Sequence, residues 1–176
     1  LSLSVSTSFA SFRADLCARS LAFFREEAHP STGLVRDRAR ADGETPDSPP
    51  YRMASLAGTG FGLAVLAEAA RSGQLKREVA QEQIERTLRF VWTGLENYRG
   101  WLYHFVDWET GRRFGSSEIS TIDTALFLAG ALYAGQIFPD SEISHLADQL
   151  YRRVDFPDML TDGGARPDKL TLSMGW

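Results

Sequence analysis

A repeat with a period of 62 residues constrains this chain more than any other feature. Placing "GQL" at 73–75 over "GQI" at 135–137 gives the offset (135 − 73 = 62). Leu66 then coincides with Leu128, Ile84 with Leu146, and Leu88 with Leu150. Each copy is an apolar helix rich in small residues, a short glycine-containing turn, and an amphipathic helix. The spacing predicts the first pair over 53–72 and 76–95, and the second over 121–136 and 141–154. Three glycines within 53–72 cost helix propensity and are tolerated where small side chains let helices pack closely. In the second member of each pair, Val79, Ile84, Leu88 and Val91, and then Ile143, Leu146, Ala147, Leu150 and Val154, form a stripe opposite a polar face. A repeated hairpin with one buried and one half-exposed member implies two concentric layers of helices. Closed into a ring, that is an α/α toroid. An open solenoid is the alternative, and would carry less aromatic decoration in the loops at one end.

A further helix is predicted over 8–28 from Phe9, Phe12, Leu16 and Phe23 or Phe24, with Ser20 in the one gap. Pro30 and Gly33 end it, and a polar, proline-rich loop "RARADGETPDSPPY" follows. In "RGWLYHFVDWETGRRF" the period changes to two: Trp101, Tyr103 and Phe105 alternate with Leu102, His104 and Val106, and "ETGR" reads as a turn. The expected fold is therefore all-α, the N-terminal part of an (α/α)6 toroid with one β-hairpin insertion. The chain begins without Met and stops at Trp176 inside an apolar, strand-like run, "KLTLSMGW". We read 1–176 as a single incomplete domain whose remainder lies beyond Trp176.

Composition excludes several classes. The net charge is −4 and the basic residues are scattered, which argues against nucleic acid and anionic membrane surfaces as partners. The longest apolar stretches, 125–134 and 61–67, fall short of the ~20 residues a bilayer span needs, so no membrane insertion is expected. "LSLSVSTSF" has neither the basic nor the long apolar region of an intact signal peptide. Cys17 is the sole cysteine, so neither an internal disulfide nor a cysteine zinc site can form, and it reads as a small core residue. "GTGFG" at 58–62 has no predicted strand before it and is not a dinucleotide loop. No GxSxG, P-loop or HExxH occurs, and no cofactor is expected.

The chemistry concentrates in "SSEISTIDTALFLAG", where Glu118 and Asp123 meet a run suited to burial. Ser120 sits where an N-cap belongs and Asp123 at N3, a variant of the capping box. A carboxylate at the mouth of an inner helix would also lie at the rim of a central cavity, so capping and function can share Asp123. A hydrolytic pair of acids must straddle the scissile bond, which Glu118 and Asp123 at one helix start are poorly placed to do. The second acid is expected elsewhere. Trp92 and Phe105 read as core, whereas Trp101, Tyr103 and the terminal Trp176 offer flat faces for sugar rings. His104 reads as a hydrogen-bonded hairpin histidine at the same face. It lacks a second ligand at metal spacing, so no metal is expected. His29 and His145 read as lone and exposed. Arg36, Asp37 and Arg38 form either a surface salt-bridge cluster or a polar contact on the cavity rim.

Taken together, "FFREEAHPSTGLVRDR", "GTGFGLAVLAEAARSGQL", "TLRFVW", "GWLYHFVDWETGRR", "SEISTIDTALFLAGALYAGQIF" and "LTLSMGW" resemble successive segments of the bacterial glycoamylase-like family. That family includes endo-β-1,2-glucanases and domains attached to cyclic β-1,2-glucan synthases. The resemblance spans about residue 9 to 176. It implies a six-hairpin toroid of roughly twice this length or more, acting as an inverting glycoside hydrolase on β-1,2-glucans, with an oligo- or polysaccharide across the end of the barrel and a periplasmic or secreted location. In the glucanases the segment matching "STIDTALFLAG" carries two acids three residues apart facing the cleft. Here the second matches Asp123 and the first falls on Ser120. The family's proposed general acid lies downstream of Trp176. The resemblance thus implies Asp123 as the catalytic residue of this chain, with Arg36, Asp37, Trp101, Tyr103, His104, Glu118, Ser120 and Trp176 binding substrate. A non-catalytic carbohydrate-binding or chain-length-sensing domain of the same fold is the alternative, and a helical interaction module a third reading.

Overall fold

The computed structural model describes residues 8–165 and 171–175. Its helices are α1 (Phe9–Glu26), α2 (Leu56–Arg71), α3 (Arg77–Thr93), α4 (Thr121–Ile137) and α5 (Glu142–Arg153). Four short strands lie between them: β1 (Met53–Ser55), β2 (Asn97–Tyr98), β3 (Trp101–Leu102) and β4 (Phe105–Asp107). The two helical hairpins occur where the repeat predicts them, and their equivalent leucines and isoleucines are all buried.

The repeat builds two layers. The inner helices α2 and α4 make the most extensive contact in the molecule, and α3 and α5 pack outside them. Glycine makes the inner contact possible. A Cβ on Gly130 would stand 1.9 Å from the carbonyl oxygen of Gly60, and one on Gly60 would stand 2.5 Å from Cα of Phe127. The helix propensity lost at these positions is offset by a backbone approach that no side chain would allow. Around it, Leu63, Ile84, Leu88, Phe127, Ala131 and Ile143 close the core.

Several boundaries differ from the sequence reading. The stretch 53–55 is not the start of a helix but β1, antiparallel to β4 with Ala54 opposite Val106. The helix begins one residue later because Ser55 caps it, accepting from the N–H of Gly58 at 3.0 Å. A short strand therefore does precede "GTGFG", but the glycines lie inside α2 rather than in a loop. The single hairpin expected after residue 100 is two small sheets. β2 and β3 are joined by Arg99 and Gly100, both at positive φ, as a two-residue type I′ turn requires. β4 pairs instead with β1, and Val106 also bridges Arg113 beyond the "ETGR" turn.

Helix α1 departs furthest from expectation. None of its residues is buried, and Phe9, Phe12 and Leu16 are exposed. It touches the rest only near its last turns, where the Phe24 ring lies against Gly62. Cys17 is accordingly exposed, not a core residue. On α4 the apolar Ile122, Leu126, Leu132 and Tyr133 also reach solvent. No helix among the described residues is long and apolar enough to cross a membrane.

Candidate functional site at the start of α4

Residues 101–107 cross the N-terminal ends of both inner helices. The carbonyl of His104 accepts from the N–H of Leu56 at 3.2 Å, and the carbonyl of Leu102 accepts from the N–H of Ser120 at 2.9 Å. The N–H of Leu102 is held by the Thr124 hydroxyl (2.9 Å), and that of His104 by the Glu118 carbonyl (2.9 Å). The backbone on either side of the His104 ring is thus clamped to the helix start.

Ser120 caps α4, its Oγ accepting from the N–H of Asp123 at 3.1 Å. The capping box is only half made, because the Ser120 N–H is already committed to Leu102 and cannot bind the Asp123 carboxylate. That carboxylate is therefore free for other partners, although the residue is 8% exposed. Oδ2 takes the Ser120 hydroxyl at 2.5 Å, and Oδ1 stands 3.7 Å from Nε2 of His104. On the other side of the ring, Nδ1 lies 2.9 Å from Oε1 of Glu118. Phe105 stacks on the imidazole with centroids 3.6 Å apart. Glu118 is half exposed, and hydrogen bonds from its own N–H and from His104 hold its carboxyl below the usual range.

The result is a line of carboxylate, imidazole and carboxylate at the edge of an open cleft of about 360 Å³. Met174 and Gly175 form the opposite edge, where the N–H and hydroxyl of Thr121 bind the Met174 carbonyl. Because the imidazole fills the space between the two acids, no glycosidic bond can lie there. Glu118 and Asp123 are a linked pair, not the two halves of a hydrolytic one.

Ser120, His104, Glu118 and Asp123 are brought together. Other expected residues are not. Trp101 is 1% exposed, its Nε1 donating to the Asp155 carbonyl at 3.0 Å and its ring edge-on to Phe156. It is core, so it offers no face to a sugar; two buried neighbours in sequence, Trp101 and Leu102, also break the alternation expected of a half-exposed strand. Tyr103 is half-buried beneath the Arg113 guanidinium. Arg36 is 7% exposed, stacked 3.5 Å from the Trp108 ring and donating to the carbonyls of Pro46 (3.1 Å) and Tyr51 (2.8 Å), with Glu27 at 3.5 Å. It clasps the 38–51 loop, and Glu118 pairs with His104 rather than with Arg36. Asp37 pairs with Arg38 at the surface. His29 is not lone: it meets Trp108 edge-on, its Nδ1 accepts from the N–H groups of Ser31 and Thr32, and burial holds its pKa below the usual value. His145 is exposed. Trp176 lies outside the described residues.

Sequence reading placed His104 at this site without finding its role between the acids. Nothing in a spacing of 14 residues between His104 and Glu118 signals contact; the backbone bridge from Tyr103 to Ile119 creates it. Among the described residues no group of three His, Cys, Asp or Glu is arranged to hold a metal ion.

No family model and no curated protein matches the chain. Solved structures do. A glucoamylase-like protein from Bacteroides fragilis aligns at a TM-score of 0.83 and 25% identity, over 100% of this chain and 42% of its own. An endo-β-1,2-glucanase from Chitinophaga pinensis, in complex with sophorotriose and glucose, aligns at 0.79 and 24% identity, over 95% of this chain and 40% of its own. A β-1,2-glucanase from Parabacteroides distasonis aligns at 0.77 and 20% identity, over 95% and 24%. The fold is thus the helical one of glucoamylase-like proteins and β-1,2-glucanases, as the motif resemblance implies. The chain spans about two fifths, or less, of the length of these structures.

Proposed function

We propose that this chain is the N-terminal part of an (α/α)6 toroid that binds and hydrolyses a β-glucan, with β-1,2-glucan favoured. One observation carries the proposal. Asp123 is held at the mouth of an inner helix with a single carboxylate oxygen left toward an open cleft, in a fold shared with a glucanase that binds sophorotriose and glucose. Ser120 occupies Oδ2, so Oδ1 is the oxygen available to take a proton from an attacking water or to face a developing oxocarbenium. In an inverting reaction the acid that protonates the leaving oxygen stands across the sugar from Asp123. Glu118 cannot fill that position, and we assign the acid to a segment beyond Trp176. Tyr103, half-buried beside the site, is the aromatic residue best placed to border the sugar.

The test is release of reducing ends from β-1,2-glucan by the full-length protein, together with calorimetry using β-1,2-linked gluco-oligosaccharides. Reducing ends that disappear in Asp123→Asn support hydrolysis. The serine at 120, where the resemblance places an acid, favours one second reading, a carbohydrate-binding domain without turnover. Binding with no release of reducing ends would select it. Absence of binding would remove both.

A further inference from the structure

The arrangement of hydrogen-bond donors around His104 leaves one proton unaccounted for. Ionised carboxylates only accept hydrogen bonds. Nδ1, 2.9 Å from Oε1 of Glu118, therefore carries the ring proton. In the neutral ring this leaves Nε2 as a bare lone pair, and it faces Oδ1 of Asp123 at 3.7 Å. Two acceptors face one another across a gap about 0.8 Å longer than a hydrogen bond, too narrow for a bridging water and closed by a small side-chain rotation. Catalytic hydrogen bonds are commonly this long before substrate binds. No other titratable side chain among the described residues contacts the ring. Phe105 covers one face, Leu56 and the Glu118 backbone hold the main chain, Met174 and Gly175 add no charge, and Arg113 acts on Glu118 from beyond Tyr103.

We infer that His104 is a positioning residue that shares a proton with Asp123 across this gap and takes that proton from it during turnover, with Glu118 fixing the ring as the Nδ1–H tautomer. The inference rests on the proposed hydrolysis. As the water oxygen bonds to the anomeric carbon and the glycosidic C–O bond breaks, the leaving oxygen is protonated by a carboxylic acid elsewhere in the domain. The water's proton passes to Oδ1 of Asp123. Asp123 then transfers it to Nε2, which restores the carboxylate and leaves an imidazolium between two carboxylates. When the cleft empties, the imidazolium returns the proton to bulk water.

Nitrogen-15 NMR of the histidine rings in the 176-residue protein tests this without sugar or turnover, so its outcome is separate from that of the glucan assay. His104 is assigned by loss of its signals in His104→Phe, or by elimination with His29→Gln and His145→Gln if that variant does not fold. The expected result at alkaline pH is a protonated Nδ1 and a bare Nε2. As the pH falls, Nε2 should gain its proton while the carboxyl carbon of Asp123 shifts over the same pH range. Glu118→Ala should lose the Nδ1–H form in favour of Nε2–H, and Glu118→Gln should keep it because the amide oxygen still accepts. A wild-type ring protonated at Nε2 at alkaline pH would overturn the inference. So would a tautomer unchanged in Glu118→Ala, or an Asp123 carboxyl signal that stays still while Nε2 titrates.

Discussion

The two inner helices start in the same way, and one residue separates them. Ser55 and Ser120 each cap their helix by accepting from the N–H of the third residue, at 3.0 Å and 3.1 Å. In both, the N–H of the capping serine is taken by a carbonyl from another segment, Val35 for α2 and Leu102 for α4. At the third position α2 has Gly58 and α4 has Asp123. Helix α2 therefore forms, buried and capped, with no acid in its first turn. What capping requires is present in α2, and the Asp123 carboxylate is extra. Its partners are the serine hydroxyl and a histidine, not the donors of the helix end. The comparison separates two meanings that one Ser-x-x-Asp pattern can have.

The comparison breaks most readily at Asp123 itself. In the full-length protein, Asp123→Asn should lower turnover of β-1,2-glucan by about 100-fold or more, the scale of losing one acid/base or electrostatic group. Melting should shift by only a few degrees, because Asn retains the size and much of the capping ability. Near-normal turnover with a clear loss of melting temperature would return the residue to capping alone.

The serines come next. Ser120→Ala should destabilise by about 2 kcal/mol, since it removes both the cap and the hydroxyl that bonds a nearly buried carboxylate, whereas Ser55→Ala should cost about 1 kcal/mol. Equal losses in chemical denaturation would mean that Asp123 draws nothing from Ser120. Making α2 resemble α4 is the converse experiment. Gly58→Asp should stabilise by about 0.5–1 kcal/mol, through helix propensity and the favourable charge at the N-terminus, with its Cβ at ordinary contact distance from Ser55. A destabilised variant would show that α2 tolerates no acid there.

The smallest effect belongs to Glu118. Its folded carboxyl lies below the usual pKa, so its contribution is present above the unfolded value of about 4.3 and is lost as pH falls through the lower folded value. The stability difference between wild type and Glu118→Gln should be a few tenths of a kcal/mol near pH 6, given the exposure of the carboxylate, and should shrink below about pH 4. A difference that grows on acidification would contradict the hydrogen-bonded pair.

Local pattern carried the helices. Glycine and alanine in α2 and α4, and the charged face of α3 and α5, reflect which neighbours each helix has, and a period of 3.6 records that directly. The same logic failed for α1, whose apolar stripe is exposed among the described residues, because periodicity identifies a face and not what covers it. The strands were read less well. A three-residue strand such as β1 has no period to detect, and its existence depends on β4, some 50 residues away. Trp101 and Arg36 were misplaced for a related reason. An aromatic ring and a guanidinium serve equally well as binding surface or as buried structure, and only their neighbours, Phe156 and Trp108, decide between the two.

By itself the sequence determined the two helical hairpins, the register of their repeat, the serine cap of α4 and the position of Asp123 in its first turn. Those depend on residues within a few positions of one another, where backbone geometry leaves little choice. Tertiary structure alone decided what Asp123 does with its charge. It took the Ser120 N–H for Leu102, stacked the His104 ring on Phe105, and carried Glu118 to the far side of that ring through a bridge between Tyr103 and Ile119. Contacts between segments 14 to 19 residues apart leave no periodic trace, because they follow from the path of the chain across two helix ends rather than from any local preference.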